Sequence, residues 1–538
     1  MASNLLKGTA ILTIGLFLSK ALGLLYVIPF YAMVGDESVN LYQYAYIPYN
    51  LALAVAVSGA PLAISKFVSK YNALGDYATG RKLMKSGMLL MSLTGLLTFF
   101  ALFALAGPIA GLVIKDEEQI FTVEDIASVI RWVSFALLAV PLLSISRGFM
   151  QGYQKFEPTS VSQLIEQIIR IVFVLAGTFV VVNVLGLSPN IAVKFAVFAA
   201  FIGAIAGLWS LYHYWKKYRD EFNYLLTNSP PAGSLPLKQI YKEILTYALP
   251  FVLVGTINPL YQFVDMVTFN DAMKSIGLSS VSDMLLGKLN FLTHKVVMIP
   301  VMVATGFSMA LISIITSYYA KNDQQGITRS LDQTYQIMLF LTIPMVTGLI
   351  VLNTEIYQFL YKFDVSGANI LAAYAPVAIL FAMFTVTAAI LQGIDYHKWI
   401  VFSALLGLFI KMIINIPLIK VFETNGAILA TAIGYATAVG INLLVIKKVL
   451  NYKSQMVIRR VILILIFNAI MFAGVWLTSK GLNALHVPVG RWQALLYVLI
   501  GTGVGMVIYG FLAFKSGLAQ RLFGERLTRI AQRFGMGG

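Results

Sequence analysis

Two short stretches decide the fold of this 538-residue sequence: Met150-Gln151-Gly152-Tyr153-Gln154-Lys155 and Leu391-Gln392-Gly393-Ile394-Asp395-Tyr396-His397-Lys398. Their Gln-Gly pairs are 241 residues apart, and each stretch follows a long apolar run. A second pair of similar stretches, residues 59–65 and 306–312, is 247 residues apart. Because the two offsets are nearly equal, they predict that one structural unit occurs twice in the chain.

The apolar runs on which these stretches depend fill most of the sequence. The chain is 59% hydrophobic and 12% charged, whereas a soluble domain is closer to half apolar and a quarter charged. Runs of about 20 apolar residues are long enough to cross a bilayer as helices, and only helices or closed barrels satisfy their backbone there. The composition therefore predicts an all-α polytopic membrane protein. We place about fourteen predicted spans at residues 9–33, 44–65, 86–110, 127–147, 161–184, 191–215, 245–268, 289–316, 333–353, 369–391, 399–420, 427–447, 460–479 and 492–514.

The repeat assigns predicted spans 1–6 and 7–12 to two copies of one six-helix lobe. An even number of spans per copy gives both copies the same orientation, and such parallel repeats commonly place a substrate site between the halves. Spans 13 and 14 lie outside the repeat. The predicted organisation is an N-lobe at 1–215, a cytoplasmic linker at 216–244, a C-lobe at 245–450, the two extra helices at 451–514 and a basic cytoplasmic tail at 515–538.

The distribution of basic residues predicts the orientation. Loops on the side of the N-terminus hold 26 lysines and arginines, and the opposite loops hold 8. Cytoplasmic loops carry the excess of positive charge, so both termini are predicted to be cytoplasmic in a bacterial cytoplasmic membrane. The net charge of +16 is thereby explained by topology, and no nucleic-acid partner is predicted.

Seven charged residues fall inside the predicted spans, where each costs several kcal/mol unless it faces a cavity or a partner. They are Lys20, Arg131, Glu166, Arg170, Asp265, Lys295 and Lys411. Several have structural explanations. Arg131 is close enough to the membrane surface to snorkel. Glu166 can pair with Arg170 one turn away, and Asp265 can neutralise Lys295.

Arg170 and Lys411 are also 241 residues apart, so the repeat places a cation at matching positions of both lobes. A central cavity between the lobes would receive both side chains. Cations outnumber acids among these residues, which favours an anionic cargo such as a lipid-linked phosphate. An antiporter for cationic drugs should show the opposite balance.

The remaining patterns do not indicate an enzyme. The chain has no cysteine, its four histidines lack metal-ligand spacing, and it contains no phosphate-binding glycine loop. We therefore predict no cofactor, no metal site and no catalytic residues. A membrane-embedded glycosyltransferase remains an alternative class, with Glu355 or Asp364 as its catalytic acid.

Three segments carry a family resemblance: residues 146–170, which begin Ser146-Arg147-Gly148-Phe149-Met150, then Tyr42-Gln43-Tyr44-Ala45-Tyr46, and residues 59–66. They resemble the polysaccharide-exporting members of the MOP flippase superfamily. Within it, the sequence is most similar to the MurJ-type lipid II flippases of Gram-positive bacteria, the group that contains the stage V sporulation protein B relatives. The resemblance extends over the whole chain, including spans 13 and 14.

The resemblance implies a V-shaped bundle of two six-helix lobes around a cationic cavity that holds a pyrophosphate-sugar headgroup. It implies that spans 13 and 14 form a groove for the polyprenyl tail. Lys20 lies where the family has a cavity cation, and Lys295 resembles an arginine of the eighth helix. Sodium bound in some members between the seventh and eleventh helices makes Asp265 and Asn415 ion-coupling candidates. The expected substrate-binding residues are Lys20, Arg147, Glu166, Arg170, Lys295 and Lys411.

These observations together predict a flippase for undecaprenyl-linked peptidoglycan precursor, driven by the membrane potential, sodium or protons. Its expected partners are the lipid-linked anionic glycan, membrane lipids and cell-wall synthesis proteins. A flippase for a teichoic, capsular or spore-cortex precursor is the alternative with the same fold. A multidrug or cation antiporter is the alternative of another class.

Overall fold

A computed structural model describes residues 21–57, 59–114, 119–229 and 237–523, together with Gly15, Leu18 and Ser19. Within these ranges the regular secondary structure is helical and no β-strand occurs. The chain divides into two compact units, Met1–Gly287 and Lys288–Gly538. The all-α fold class predicted from composition is therefore confirmed.

Besides helical residues at 21–25, the first unit contains ten α-helices within its described residues. They are α1 (Val27–Val57), α2 (Ala60–Ala73), α3 (Tyr77–Val113), α4 (Val123–Ser134), α5 (Ala136–Gly152), α6 (Phe156–Phe179, extended by a π-helical turn at Val180–Val184), α7 (Pro189–Lys217), α8 (Arg219–Thr227), α9 (Leu237–Lys274) and α10 (Ser279–Gly287).

The second unit begins with a π-helical segment at Lys288–Thr293 and continues through ten α-helices up to Phe523. They are α11 (His294–Ala320), α12 (Gln324–Val351), α13 (Asn353–Leu360), α14 (Val365–Tyr374), α15 (Val377–Gly393), α16 (His397–Phe422), α17 (Thr424–Val449), α18 (Gln455–Leu485), α19 (Arg491–Lys515) and α20 (Leu518–Phe523).

Eleven helical segments within the described residues are long and apolar enough to cross a membrane. They coincide with eleven of the fourteen predicted spans, which leaves spans 1, 2 and 7. Nine of the 25 residues of span 1 lie outside the described residues. Span 7 lies within α9, a 38-residue helix. The multi-pass architecture is thus established, and the number fourteen stays a prediction.

Glycines mark the breaks at the first two predicted spans. Within the range of α1 two helices meet at a kink at Gly35, whose φ is 77°, so the break predicted at 34–43 is reduced to this one residue. Predicted span 44–65 is then broken at Gly59, whose φ of 80° precedes α2. Because glycine adopts this left-handed backbone at little cost, both breaks occur where the chain supplies it.

The predicted repeat appears as equal backbone geometry at the two Gln-Gly stretches. After α5 the left-handed residue is Gln154, and after α15 it is Asp395, which is 241 positions later. The closing hydrogen bonds also correspond: Lys155 N donates to Met150 O at 3.0 Å, and Tyr396 N donates to Leu391 O at 2.8 Å. The two turns are therefore the same structural element.

The second offset, 247, recurs at the starts of α3 and α12. Asp76 caps α3 by accepting from Thr79 N at 2.9 Å, and Asp323 caps α12 by accepting from Gly326 N at 2.9 Å. An aspartate at this position satisfies an otherwise unbonded helical N–H. Both offsets found in the sequence thus correspond to matching local structures, each inside its own unit.

The compact units do not divide where the sequence repeat places its lobe boundary. Helices α9 and α10 belong to the first unit, in which both pack against α1. The segment predicted as a linker, 216–244, is helical at its start in α8 and at its end in α9, and residues 230–236 lie outside the described ranges. The lobe boundaries stay a prediction from the repeat. In the predicted tail, α20 follows α19, and residues 524–538 lie outside the described ranges.

Candidate functional site

Arg170 is a half-buried cation on α6 that faces aromatic side chains of α1. Its Nη2 donates to the hydroxyl of Tyr46, and its guanidinium carbon lies 5.4 Å from the Tyr46 ring centroid. Its Nε is buried without a hydrogen-bond partner. Among the described residues, Arg170 forms no ion pair with a carboxylate. The guanidinium therefore keeps its positive charge, and the contacts described for it are with the neutral Tyr46.

A column of tyrosines on α1 holds this arginine in place. Tyr42 and Tyr46 stack with ring centroids 4.5 Å apart, and Tyr49 packs edge-on against Tyr46 at 5.6 Å. The hydroxyls of Tyr26 and Tyr42 are 3.1 Å apart. Tyr42 and Tyr46 are the first and last tyrosines of the Tyr-x-Tyr-x-Tyr segment singled out in the sequence. Rings stacked in this way lose little further freedom on binding a ligand, and a cation next to their faces is stabilised.

Glu166 pairs with Arg147 of α5, and the predicted pair of Glu166 with Arg170 does not form. The Arg147 Nη2 lies 2.8 Å from Glu166 Oε2. The same guanidinium donates to Ser162 Oγ from Nε at 3.2 Å and from Nη2 at 3.0 Å. Glu166 therefore neutralises the other arginine of the signature segment. The correction follows from packing, because α5 lies against α6 and presents a closer cation than the helix itself does.

In the second unit, Lys411 and Asn415 lie one turn apart on α16, and both side chains are 0% exposed. Lys411 Nζ donates to Thr431 Oγ1 of α17 at 2.7 Å. The repeat-related cations thus differ in environment: Arg170 is half-buried, whereas Lys411 is fully buried.

Three more of the charged residues singled out in the sequence lie in the described part of the chain. Lys295 Nζ lies over the ring of Phe291, 3.9 Å from its centroid. Asp265, on α9 of the first unit, is 4% exposed. Lys20 lies outside the described residues. Arg131 forms an exposed ion pair with Glu124 at 3.1 Å.

The acids considered for a glycosyltransferase are bound to other groups of the protein. Glu355 is buried and accepts from Ser479 Oγ at 2.9 Å and from Asn483 Nδ2 at 3.1 Å. Asp364 lies 2.6 Å from Lys288 Nζ and also caps α14 through Ser366 N at 3.0 Å. A catalytic acid has to reach a reacting group, so these contacts favour structural roles.

Sequence reasoning missed one buried carboxylate, Asp283 of α10. It accepts hydrogen bonds from the Tyr44 hydroxyl, from Asn270 Nδ2 at 3.1 Å, from Gln119 Nε2 at 3.2 Å and from Ile120 N at 3.1 Å. Asp283 lies just outside the predicted spans, and a charged residue in a loop does not by itself indicate a functional site. The Tyr44 hydroxyl that it binds belongs to a segment that the sequence had singled out for another reason.

An apolar cavity of about 480 Å³ lies within the second unit, between α12 and the two helices that follow the repeat, α18 and α19. Its walls are aliphatic and aromatic, with four glycines on its surface. Lining residues include Phe340, Pro344, Gly348, Met471, Gly505 and Tyr509.

In the described ranges, no cluster of three or more His, Cys, Asp or Glu side chains could hold a metal ion.

Comparison with known proteins places these features in a family. Residues 5–318 match the family described as "Polysaccharide biosynthesis protein". The chain is 42% identical over 534 residues to the lipid II flippase MurJ of Bacillus subtilis, covering 98% of both sequences. It is 25% identical over 419 residues to stage V sporulation protein B of the same organism, covering 76% of each.

Solved structures with the same fold are transporters. A lipid II flippase MurJ in an inward closed conformation aligns with a TM-score of 0.67 and 18% identity, covering 95% of this chain and 99% of that one. An inward-facing multidrug resistance MATE transporter of the MOP superfamily aligns with a TM-score of 0.64 and 14% identity, covering 80% and 94%. The chain is thus a multi-pass membrane transporter and not an enzyme. It belongs to the polysaccharide biosynthesis protein family and, within it, to the MurJ-type lipid II flippases.

Proposed function

We propose that this protein moves the undecaprenyl-pyrophosphate-linked peptidoglycan precursor, lipid II, from the inner to the outer leaflet by alternating access. The observation that carries the proposal is the 42% identity, over nearly the whole chain, to a lipid II flippase. The MATE likeness shows that this fold also serves multidrug transporters, so the fold alone does not choose the cargo.

The charge on Arg170 supports a phosphate-bearing cargo. A cation inside a membrane protein without a carboxylate partner is costly, and an anionic ligand offsets that cost. Arginine binds phosphate oxygens through several N–H groups, and the Arg170 Nε is still without a partner. Arg147 differs, because Glu166 already neutralises it. We therefore assign Arg170 to direct contact with the pyrophosphate, and Arg147 and Glu166 to holding α5 and α6 around it.

The other predicted residues complete the proposal. Lys20 and Lys295 add positive charge for the headgroup, and Lys411 does so in a conformation that opens its surroundings. Asp265 and Asn415 are the candidates for coupling transport to sodium or protons, with the membrane potential as the other energy source. Both termini are cytoplasmic, and the apolar cavity beside α18 and α19 holds part of the polyprenyl tail.

The test is rescue of bacteria depleted of their own lipid II flippase, at matched expression in the membrane. The wild type should restore growth, and Arg170→Gln should lower flipping at least about 10-fold, the effect of losing about 1.4 kcal/mol of binding. Arg131→Gln is the matched control, because it removes an arginine whose exposed ion pair contributes little.

Each result has a distinct meaning. Equal rescue by Arg170→Gln and the wild type would remove Arg170 from the site while keeping the cargo. Failure of a well-expressed wild type to rescue would direct the search to teichoic, capsular or spore-cortex precursors, whose export is then measured directly.

A further inference from the structure

A second, polar cleft lies at the basic side of the second unit, apart from the residues assigned to the cargo. It has a volume of about 670 Å³ and is bordered by the start of α12, the start of α18 and the short helix α20. Three arginines line it, one from each helix: Arg329, Arg460 and Arg521. Three like charges around one cleft repel each other unless an anion neutralises them.

The protein supplies little negative charge there. Arg460 is half-buried, and its Nη1 donates to the neutral amide oxygen of Gln336. Within the described part of the chain, none of the three arginines forms an ion pair with a carboxylate. The cleft does contain Asp332, but this side chain accepts from the Tyr452 hydroxyl at 2.5 Å.

Tyr452, which lies between α17 and α18, strengthens this arrangement. Burial, followed by the hydrogen bond to Asp332, raises the pKa of its hydroxyl well above the usual range. The hydroxyl therefore remains a donor at physiological pH and keeps one carboxylate oxygen of Asp332 occupied. Arg329, Arg460 and Arg521 are left facing the cleft with net positive charge.

In the first unit, basic residues at the end that corresponds through the repeat bind side chains of α8. There, α8 lies over the start of α3, and its Asn223 Oδ1 accepts from Arg81 Nη1 at 3.1 Å. Glu221 of α8 binds Lys155 Nζ at 2.9 Å. Basic residues at that end thus have protein partners from one added helix. In the second unit, α20 brings another arginine, Arg521, and no acid.

The surroundings of the cleft have the amphipathic layout of a lipid site. Four residues beyond Gln336 on α12 is Phe340, which lines the apolar cavity of about 480 Å³. Four residues are about 6 Å along a helix. Both cavities are bordered by α12 and α18. The polar cleft therefore lies about one helical turn from an apolar region along the same two helices.

We propose that the cleft formed by Arg329, Arg460 and Arg521 binds the phosphate headgroup of a resident anionic phospholipid from the basic, cytoplasmic side of the membrane. Basic pockets between transmembrane helices on this side are suited to acidic lipid headgroups. The inference does not depend on which cargo is transported, and it concerns residues outside those assigned to the cargo. It relies on the orientation given by the positive-inside pattern.

Binding of phosphatidylglycerol to the purified full-length protein tests the proposal. Native mass spectrometry and thermal unfolding in mixed micelles would compare the wild type with the triple variant Arg329→Gln, Arg460→Gln, Arg521→Gln. The variant should bind this lipid about 10-fold more weakly or worse, and added phosphatidylglycerol should raise the Tm of the wild type only. The triple variant Lys447→Gln, Lys448→Gln, Lys453→Gln is the control, because it loses the same charge outside the cleft and should bind within about 3-fold of the wild type.

Other outcomes would overturn the proposal. Equal weakening in both triple variants would mean attraction by overall charge. Equal competition by inorganic phosphate would make the cleft a site for free anions. Preference for undecaprenyl pyrophosphate over phosphatidylglycerol would make it a waiting site for the cargo. If the cleft triple variant is unstable, Arg521→Gln alone, at an exposed position of α20, should still weaken phosphatidylglycerol binding by about 3-fold or more.

Discussion

The charged residues inside the helices differ in how far the protein itself compensates them. Arg147 has a carboxylate at 2.8 Å, whereas Arg170 contacts a phenol and keeps a buried Nε without a hydrogen bond. A compensated charge holds helices together, and an uncompensated one is available to a ligand. Loss of the Arg147 ion pair should therefore lower stability. Loss of the Arg170 charge should lower transport and leave stability nearly unchanged.

Breaking the Arg147–Glu166 pair should lower stability. We expect Glu166→Gln to cost about 3 kcal/mol, because the Arg147 guanidinium then stays half-enclosed without its counter-ion. The double variant Arg147→Gln, Glu166→Gln should be less destabilised than the sum of the two single variants. Thermal unfolding of the purified proteins measures all three.

The same experiment separates the two arginines. Arg170→Gln should change the Tm little and transport strongly, whereas Glu166→Gln should lower both. Additive single effects in the Arg147 and Glu166 cycle would show that their ion pair contributes nothing to stability.

At the scale of helices, the turns after α5 and α15 fix how each unit packs. An added Cβ at Gly152 would lie 2.7 Å from Val68 Cβ, and at Gly393 it would lie 3.1 Å from Ile315 Cβ. Val68 and Ile315 are themselves 247 positions apart. Glycine at both turns therefore lets one helix approach its neighbour closely, α2 in the first unit and α11 in the second.

The two contact distances predict unequal costs for the same substitution. Gly152→Ala should destabilise by about 2 to 3 kcal/mol, because the branched Val68 side chain cannot move away easily. Gly393→Ala should cost about 1 kcal/mol, since shifts of a few tenths of an ångström suffice. Thermal unfolding of both variants and the wild type in one detergent should show the larger fall in Tm for Gly152→Ala.

A glycine in open space supplies the control for that order. An added Cβ at Gly107 of α3 meets nothing within 4 Å, so Gly107→Ala should stabilise by about 0.5 to 1 kcal/mol through helix propensity. A larger loss at Gly393 than at Gly152 would contradict the packing argument.

For the whole molecule, the sequence predicts what depends on local patterns. Apolar runs of bilayer length gave the helices, and two nearly equal offsets gave the repeat, including the match between Arg170 and Lys411. Such local patterns do not predict contacts between distant segments of the chain. The partner of Glu166 is 19 residues away on another helix, and Asp283 is bound by Tyr44, 239 positions earlier. These pairings follow from three-dimensional packing, which no spacing in one sequence encodes.

The two helices outside the repeat also become explicable at this scale. They dock on the second unit through polar contacts: Glu355 of α13 binds Ser479 and Asn483 of α18, and the Tyr509 hydroxyl of α19 donates to Phe340 O at 2.9 Å. Between these contacts they leave the apolar cavity open. Gly348 and Gly510 line this cavity with room for a Cβ, whereas an added Cβ would lie 2.9 Å from Leu352 at Gly501 and 3.2 Å from Val475 at Gly505.

Filling that cavity should impair transport without unfolding the protein. Gly348 lines it, and a Cβ there meets nothing within 4 Å. Gly348→Leu should therefore fold, since leucine favours a helix more than glycine does, while its side chain occupies space that the polyprenyl tail needs. We expect flipping in reconstituted vesicles to fall at least about 10-fold, equivalent to about 1.4 kcal/mol of lost binding. Gly481→Leu, on an exposed stretch of α18 where a Cβ also meets nothing, should flip lipid II like the wild type. Wild-type flipping by Gly348→Leu would mean that the tail travels elsewhere, and the cavity would then have no part in transport.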